Sequence, residues 1–301
     1  MLQLVRFASG ADAELLAELT GDASGQKAEA WLKEAQPGGC DWVTVMERLP
    51  TIRAGLAGPA ELLSLLPVQH ARYYSASSAP LLQPGSLELT VGAHSFPGPG
   101  GSRKDGVCSS YLRRLTAGDF VELRVIRVPH FRLPLSNFAP VLVVASGTGI
   151  APLRAFWQER ILRARDALAA QSRGRAAATA APVVGPFHLL FGARTRSELL
   201  YAAEVQAAVA SGAITAAHYA LSREPGVPKT YVQDLLRPGT PAATAVRDML
   251  AHPKAAIFVC GGARMSMAVE DALKVLVGEA AWAGVKTAGR FHEDVFGLES
   301  A

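Results

Sequence analysis

The sequence predicts an α/β protein: a parallel-sheet domain joined to a smaller antiparallel β region behind a helical segment. Three changes of texture support that reading. Residues 1–70 are rich in Ala and Leu at helical spacing. Residues 71–138 break into short β-branched or aromatic runs between Pro, Gly and Ser clusters. From residue 139 to 301, strand-like and helix-like stretches alternate, which means right-handed crossovers onto a parallel sheet.

In the first stretch, Ala13-Glu14-Leu15-Leu16-Ala17-Glu18-Leu19 and Ala60-Glu61-Leu62-Leu63-Ser64-Leu65-Leu66 repeat apolar residues at helical intervals. In the second, 72–78, 87–96 and 120–128 read as antiparallel strands, with turn-forming clusters at 80–86 and 97–102. In the third, strands are expected at 140–145, 187–191, 216–221 and 256–260. Helices are expected at 153–170, 198–210, 232–236 and 265–280. The Ala-rich stretch 175–186 reads as a flexible excursion between helix and strand.

A chain of 301 residues is long enough for two domains, and 50% hydrophobic with 19% charged residues excludes a disordered protein. Three cysteines, Cys40, Cys108 and Cys260, argue against a disulfide framework and for a reducing, cytoplasmic setting. The N-terminus lacks the apolar core of a signal peptide, and no apolar run has the length of a membrane span. The net charge of +4 is not gathered into a basic block interleaved with aromatics, so no nucleic-acid partner is expected. Arg160, Arg163, Arg165, Arg173 and Arg175 lie along one helix and its exit, and read as a solvated face. A modest positive balance suits an acidic cofactor or an acidic electron-transfer partner. No metal site is expected.

In an open parallel sheet, ligands bind beyond the carboxyl ends of the strands. Three segments fall there. Ser146-Gly147-Thr148-Gly149-Ile150-Ala151-Pro152 follows a strand and opens a helix; its glycines let backbone amides approach a phosphate. It lacks the Lys-Ser/Thr of a nucleotide-hydrolysing loop, and taken alone it is equally a tight turn. Ser222-Arg223-Glu224-Pro225-Gly226-Val227-Pro228-Lys229-Thr230-Tyr231-Val232-Gln233 offers a hydroxyl, a guanidinium and an ammonium to a phosphate monoester, or is an ordinary Pro- and Gly-held turn. Cys260-Gly261-Gly262 puts a thiol and a flexible backbone at the cleft, or buries a small core residue. On successive strand ends of one sheet, the three together read most economically as an NADP site.

The antiparallel region has its own signal. Arg72-Tyr73-Tyr74-Ser75 lines up a cation, two aromatics and a hydroxyl, with alternate side chains on opposite sides of a strand. One tyrosine can stack on a flat ring while the arginine pairs with a pyrophosphate; an ordinary aromatic strand has the same composition. Further on, Gly106-Val107-Cys108-Ser109-Ser110-Tyr111-Leu112 can lead a pyrophosphate into a helix start.

These strings occur in a known order. Arg72 to Ser75, Gly106 to Ser109, Gly147 to Pro152 with Phe156-Trp157-Gln158-Glu159-Arg160, Ser222 to Pro225 with Lys229 to Gln233, and Cys260-Gly261 resemble the ferredoxin–NADP reductase-like half of diflavin reductases. That family includes cytochrome reductases, sulfite reductase flavoproteins and nitric oxide synthases. The ending Gly289-Arg290-Phe291-His292-Glu293-Asp294-Val295-Phe296-Gly297 looks most like that of the synthases. The resemblance spans residues 60–298.

The resemblance implies a role for each position. Arg72, Gly106, Val107 and Ser109 would hold an FAD pyrophosphate, with Tyr73 and Cys108 in the same two motifs. Tyr74 would stack on the isoalloxazine, and Ser75 would reach toward its N5 edge. Gly147, Thr148 and Gly149 would hold the NADPH pyrophosphate. Ser222, Arg223, Lys229 and Tyr231 would hold the 2′-phosphate end, with Gln233 nearby. Cys260 and Asp294 would line the nicotinamide side, and Phe296 would cover the flavin face. Two positions depart from the family. Gly262 stands where an acidic residue commonly follows the Cys-Gly pair. The helical stretch 1–70 resembles only the end of a connecting segment that the first barrel strands precede, so 71–138 is expected to be a partial FAD barrel in a fragment, in a mispredicted gene product, or in a subunit completed by another chain.

The function so implied is NADPH-dependent reduction of FAD, passing electrons to an FMN domain, a flavodoxin-like protein or a haem partner. Two alternatives remain open: a single-flavin reductase acting on a small oxidant, and a non-catalytic NADP(H)-binding module.

Overall fold

The structure, a computed structural model, describes residues 71–97, 103–173 and 184–296. The helices expected within 1–70, the turn cluster at 98–102 and most of the Ala-rich excursion lie outside the described residues. Of those described, 71–73, 91–97 and 103–121 form one unit, and 74–90, 122–173 and 184–296 form a second.

In the first unit, β1 (Ser95–Pro97) pairs antiparallel with β2 (Arg103–Asp105), Phe96 opposite Lys104. Helix α1 (Val107–Arg114) follows, with Gly106 at its N-cap and Arg113 and Arg114 complementing the negative end of its dipole.

The second unit is built on a five-stranded sheet of β3 (Val141–Ser146), β4 (Phe187–Ala193), β5 (Ala216–Leu221), β6 (Ala256–Gly262) and β7 (Phe291–Phe296). All neighbours are parallel, in the order β5-β4-β3-β6-β7. A parallel sheet is covered on both faces, so its central strands are apolar on both. Leu142 and Val144 face one core, with Leu190, Ile257 and Val259. Val141, Val143 and Ala145 face the other, with Phe187, Leu189, Phe191 and Phe258. On the second face lie α2 (Ile150–Arg173) and α3 (Ala202–Ala210), anchored by Trp157, Leu153 and Val205. On the first lie α4 (Pro241–Leu250), α5 (Ala263–Val277) and α6 (Glu279–Thr287), anchored by Val246, Val269 and Trp282. Each fully buried side chain of this size contributes about 1.5–3 kcal/mol.

The parallel sheet is the one expected, with differences of extent. The helix expected to end at 280 stops at Gly278, whose φ of +87° suits glycine alone, and α6 begins at the next residue. Helix α4 was not anticipated, although Thr240 before Pro241 is a start signal; the Thr240 hydroxyl accepts the Ala243 amide at 3.1 Å. The C-terminal motif contributes a fifth strand, β7, beyond the four expected.

The antiparallel expectation is met only in part. The stretch 87–96 contributes β1, and residues 72–78 contribute a single bridge, Ala76 to Leu89. Residues 120–128 belong to no strand or helix, and Phe120 is 97% exposed. Alternating β-branched residues favour an extended backbone, but a ladder also needs a neighbouring edge to take its N–H and C=O groups.

The arginine cluster is not a uniformly solvated face. Arg160 is buried against the Phe187 ring (5.0 Å), donating to the Ala213 carbonyl (3.2 Å) and to that of Gly185. Burial, then the neighbouring charge of Arg163, pushes its pKa down to about 10, so it remains a cation at neutral pH. Arg163 is tied to the Pro134 carbonyl (2.7 Å) and to Glu159.

His188 on β4 is buried beside Leu142, and its Nδ1 has no partner. Burial, and then His218 on β5, hold its pKa below the ordinary 6.5. The unfolded chain therefore takes up this proton first, and stability falls as pH drops through 6.5. We expect the melting temperature to fall between about pH 7 and about pH 5, and His188→Leu to make that fall shallower. An unchanged slope in the variant would show that His188 is not the group responsible.

Candidate functional site

Strand order turns round between β3 and β6: β4 and β5 step away from β3 on one side, β6 and β7 on the other. Such a turning point leaves a crevice at the carboxyl ends of the two strands. The first glycine motif leaves β3 there as a single 3₁₀ turn, Gly147–Gly149, and runs into α2. Gly147 has φ +54°. A Cβ on Gly149 would stand 2.1 Å from the Cys260 carbonyl oxygen, so the turn presses backbone to backbone on the end of β6. Two motifs that looked independent in the sequence thus form one surface. No acidic residue occupies the first turn of α2, which leaves the positive end of its dipole unopposed beside the glycines.

At the next pair of strand ends, the loop after β5 hangs from the end of β4. Ser222 N–H donates to Ala193 O (3.0 Å), Arg223 N–H to Arg194 O (2.7 Å), and Thr230 N–H closes the loop on Leu221 O (3.0 Å). Arg223 and Lys229 are exposed, and the Lys229 ammonium lies 5.0 Å from the ring of Tyr231, itself half-exposed. Gln233 is half-buried in the short helical turn Val232–Leu236, fastened at its start by Asp234 accepting from the Tyr231 N–H (2.7 Å). Sequence reasoning passed over Arg194, an exposed second guanidinium at the end of β4, because nothing local distinguishes it. Only the register of β4 and β5 brings it beside Arg223.

On the other side of β3, the register of β6 and β7 sets Cys260 opposite Asp294. Asp294 Oδ2 accepts from the Ser75 hydroxyl at 2.6 Å and lies 3.8 Å from the Cys260 sulfur. Burial, then the Asp294 charge, pushes the Cys260 thiol well above its ordinary pKa, so it remains protonated. Phe296 lies two residues beyond Asp294 on the same face of β7, opposite Gly262 and 48% exposed. Ser75, Cys260 and Asp294, from distant parts of the chain, are thus gathered at one point. From β5 to β7 this edge spans four inter-strand gaps, roughly 19 Å, which suits an extended dinucleotide.

Of the other predicted positions, Tyr74 is half-buried in the same unit. In the first unit, Arg72 and Tyr73 are exposed, and Gly106 is the N-cap of α1 with Val107, Cys108 and Ser109 in its first turn. The Ser109 hydroxyl donates to Gly106 O (3.2 Å) and accepts from His94 N–H (3.3 Å). Among the described residues no cluster of three or more His, Cys, Asp or Glu could hold a metal ion. No helix among them is long and apolar enough to cross a membrane.

A doubly covered parallel sheet with glycine-rich turns at its switch point is the architecture of a dinucleotide-binding domain. Residues 143–271 match the oxidoreductase NAD-binding domain family and are such a domain. More particularly, the domain is of the ferredoxin–NADP reductase-like kind, and most of the chain is similar to the reductase regions of nitric oxide synthases. It is 37% identical over 267 residues to nitric oxide synthase 3 of Sus scrofa, covering 84% of this chain and 21% of that protein. It is 34% identical over 266 residues to a nitric oxide synthase-like protein of Bombyx mori, covering 84% and 23%. It is 34% identical over 270 residues to the inducible nitric oxide synthase of Homo sapiens, covering 85% and 22%. The chain spans about a fifth of the length of these relatives.

The contact of Gly149 with β6 admits no side chain. Gly149→Ala forces the turn away from Cys260, and we expect a loss of about 1–3 kcal/mol in urea unfolding together with weaker NADP⁺ binding. Wild-type values for both would show that the two backbones do not meet in this way.

Proposed function

We propose that this chain binds NADPH along the carboxyl edge of its sheet and delivers a hydride from it to FAD. Electrons then leave singly for an FMN domain, a flavodoxin-like protein or a haem partner. The observation that carries the reading is the meeting of Ser75, Asp294 and Cys260 beside the Gly147–Gly149 turn. Hydride transfer needs no strong acid or base; it needs two rings held in contact with water excluded. A neutral thiol, a hydroxyl and a carboxylate that they share form a compact polar rim for that contact.

On this reading, Gly147, Thr148 and Gly149 take the pyrophosphate at the start of α2. Ser222, Arg223, Lys229 and Tyr231, with the neighbouring Arg194, take the 2′-phosphate. Phe296, half-exposed at the end of β7, covers the flavin until the nicotinamide displaces it. The FAD assignment rests on the resemblance of Arg72, Tyr73, Tyr74 and Ser75, and of the Gly106-to-Ser109 turn, to the relatives' motifs. The relatives are nitric oxide synthases, and the proposal of a haem or FMN partner for the electrons rests on the resemblance to diflavin reductases. The test is anaerobic: the chain is mixed with FAD and NADPH, and the flavin absorbance is followed. Bleaching that Ser75→Ala slows is expected; flavin that stays oxidised under NADPH would end the proposal.

Selection of NADPH over NADH should depend on Arg223. Its guanidinium supplies a charge-assisted bond to a phosphate that NADH lacks, so Arg223→Ala should cost about ten- to a hundredfold in NADPH preference. NADH binding should hardly change. Equal losses for the two nucleotides in parallel titrations would make the residue structural instead.

A further inference from the structure

Ser75 reaches Asp294 from a strap, residues 74–90, whose attachment the reading above does not explain. The strap closes on itself through Ser77 N–H to Glu88 O (2.8 Å) and Glu88 N–H to the Ser78 hydroxyl (3.0 Å). One side chain makes several of the bonds that fix it to the sheet domain. Arg154, in the second turn of α2 and 12% exposed, donates from Nη1 to the Ser77 carbonyl (3.0 Å) and pairs through the same nitrogen with Glu88. Its Nε donates to both oxygens of Glu204 on α3, at 3.1 and 2.9 Å.

The surroundings of Arg154 are built for this. Glu204 also accepts from Trp157 Nε1 (2.9 Å) and Gln158 Nε2 (3.3 Å), and Gln158 Oε1 accepts the Ala79 N–H of the strap (2.9 Å). The guanidinium lies 4.5 Å from the centre of the Tyr201 ring, and the Tyr201 hydroxyl meets Thr90 Oγ1, at the far end of the strap, at 2.6 Å. Tyr201 holds φ +58°, the one non-glycine residue with positive φ among those described. A bulky residue in that region is costly and persists where its contacts hold it. Burial opposes the charge of Arg154, but Glu88 and Glu204 outweigh it and its pKa is raised.

We propose that Arg154 is a positioning residue: by holding the Ser77 carbonyl and Glu88 on α2, it sets the Ser75 hydroxyl on Asp294 beside Cys260. Ser75 lies two residues from the anchored carbonyl, roughly 7 Å of extended chain, so freedom at Ser77 passes directly to a 2.6 Å contact. As a role in hydride transfer this rests on the function proposed above; as a role in shaping the site it does not.

Two measurements on the full chain separate those levels. Arg154→Lys keeps the charge and loses the fork that serves three partners at once. Without any cofactor, iodoacetamide should label Cys260 about tenfold faster in this variant, the scale of one lost charge-assisted bond, with Cys108 labelling and NADP⁺ affinity unchanged. Glu88→Gln, a milder change, should move Cys260 the same way by about threefold. Unchanged Cys260 labelling in both variants, or equal acceleration at Cys108, would overturn the assignment. The second measurement is a double-mutant cycle on NADPH-driven flavin reduction. Arg154→Lys should slow it about tenfold when residue 75 is Ser and less than twofold when it is Ala. Equal slowing in both backgrounds would show that Arg154 does not act through Ser75. If the wild type reduces no flavin, the proposed function falls, and the labelling alone decides the role of Arg154.

Discussion

The approach of Gly149 to the Cys260 carbonyl is the constraint on which the rest of the carboxyl edge depends. It brings the turn after β3 against the end of β6, and so sets the amides of that turn beside Cys260. Cys260 in turn is in register with Asp294, and Asp294 receives Ser75. A displacement at the glycine would therefore propagate along a chain of backbone and side-chain contacts whose members have little room to adjust. Interiors packed this closely move between discrete arrangements and do not yield gradually.

Charge is distributed along that edge in a consistent way. Toward β4 and β5 it is cationic and exposed, with Arg194, Arg223 and Lys229 near water. Toward β6 and β7 it is enclosed: a buried thiol kept protonated, and a carboxylate already engaged by a hydroxyl. A phosphate is well served by the first environment, where long side chains reorient cheaply. A reacting ring is better served by the second, where polar groups stand fixed and water is scarce. The polarity of one edge thus suits the two ends of one dinucleotide. Arg154 extends this order to the strap by gathering two carboxylates and a carbonyl around a single guanidinium, a geometry that its planar fork permits and an ammonium does not.

Much of this was legible in the sequence. The central strands announce themselves as uninterrupted apolar runs, because a doubly covered strand leaves no polar face, and 216–221 and 232–236 fall where the pattern put them. The glycine turn, the Ser222-to-Gln233 loop and Cys260 could be assigned to strand ends because order along the chain fixes which ends follow which strands. The antiparallel region was less legible. The stretch 120–128 has the composition of a strand, yet pairing is a property of two segments, and composition describes only one. Helix α6 was missed because the periodicity of α5 runs on into it, while the break at Gly278 is a backbone angle.

By itself, then, the sequence determined the class of fold, the order of strands along the chain, and the kinds of side chain that each loop offers a nucleotide. These are local properties, set by hydrophobic period, turn chemistry and residue type. Tertiary structure alone decided that the C-terminal motif is a strand and that its Asp294 faces Cys260. It also decided that Arg160 is buried, that Arg194 joins Arg223, and that Arg154 grips the strap bearing Ser75. Each of these depends on sheet order and register, which bring together residues up to 219 positions apart. No local pattern records such a meeting, because the free energy that selects it belongs to the packed whole.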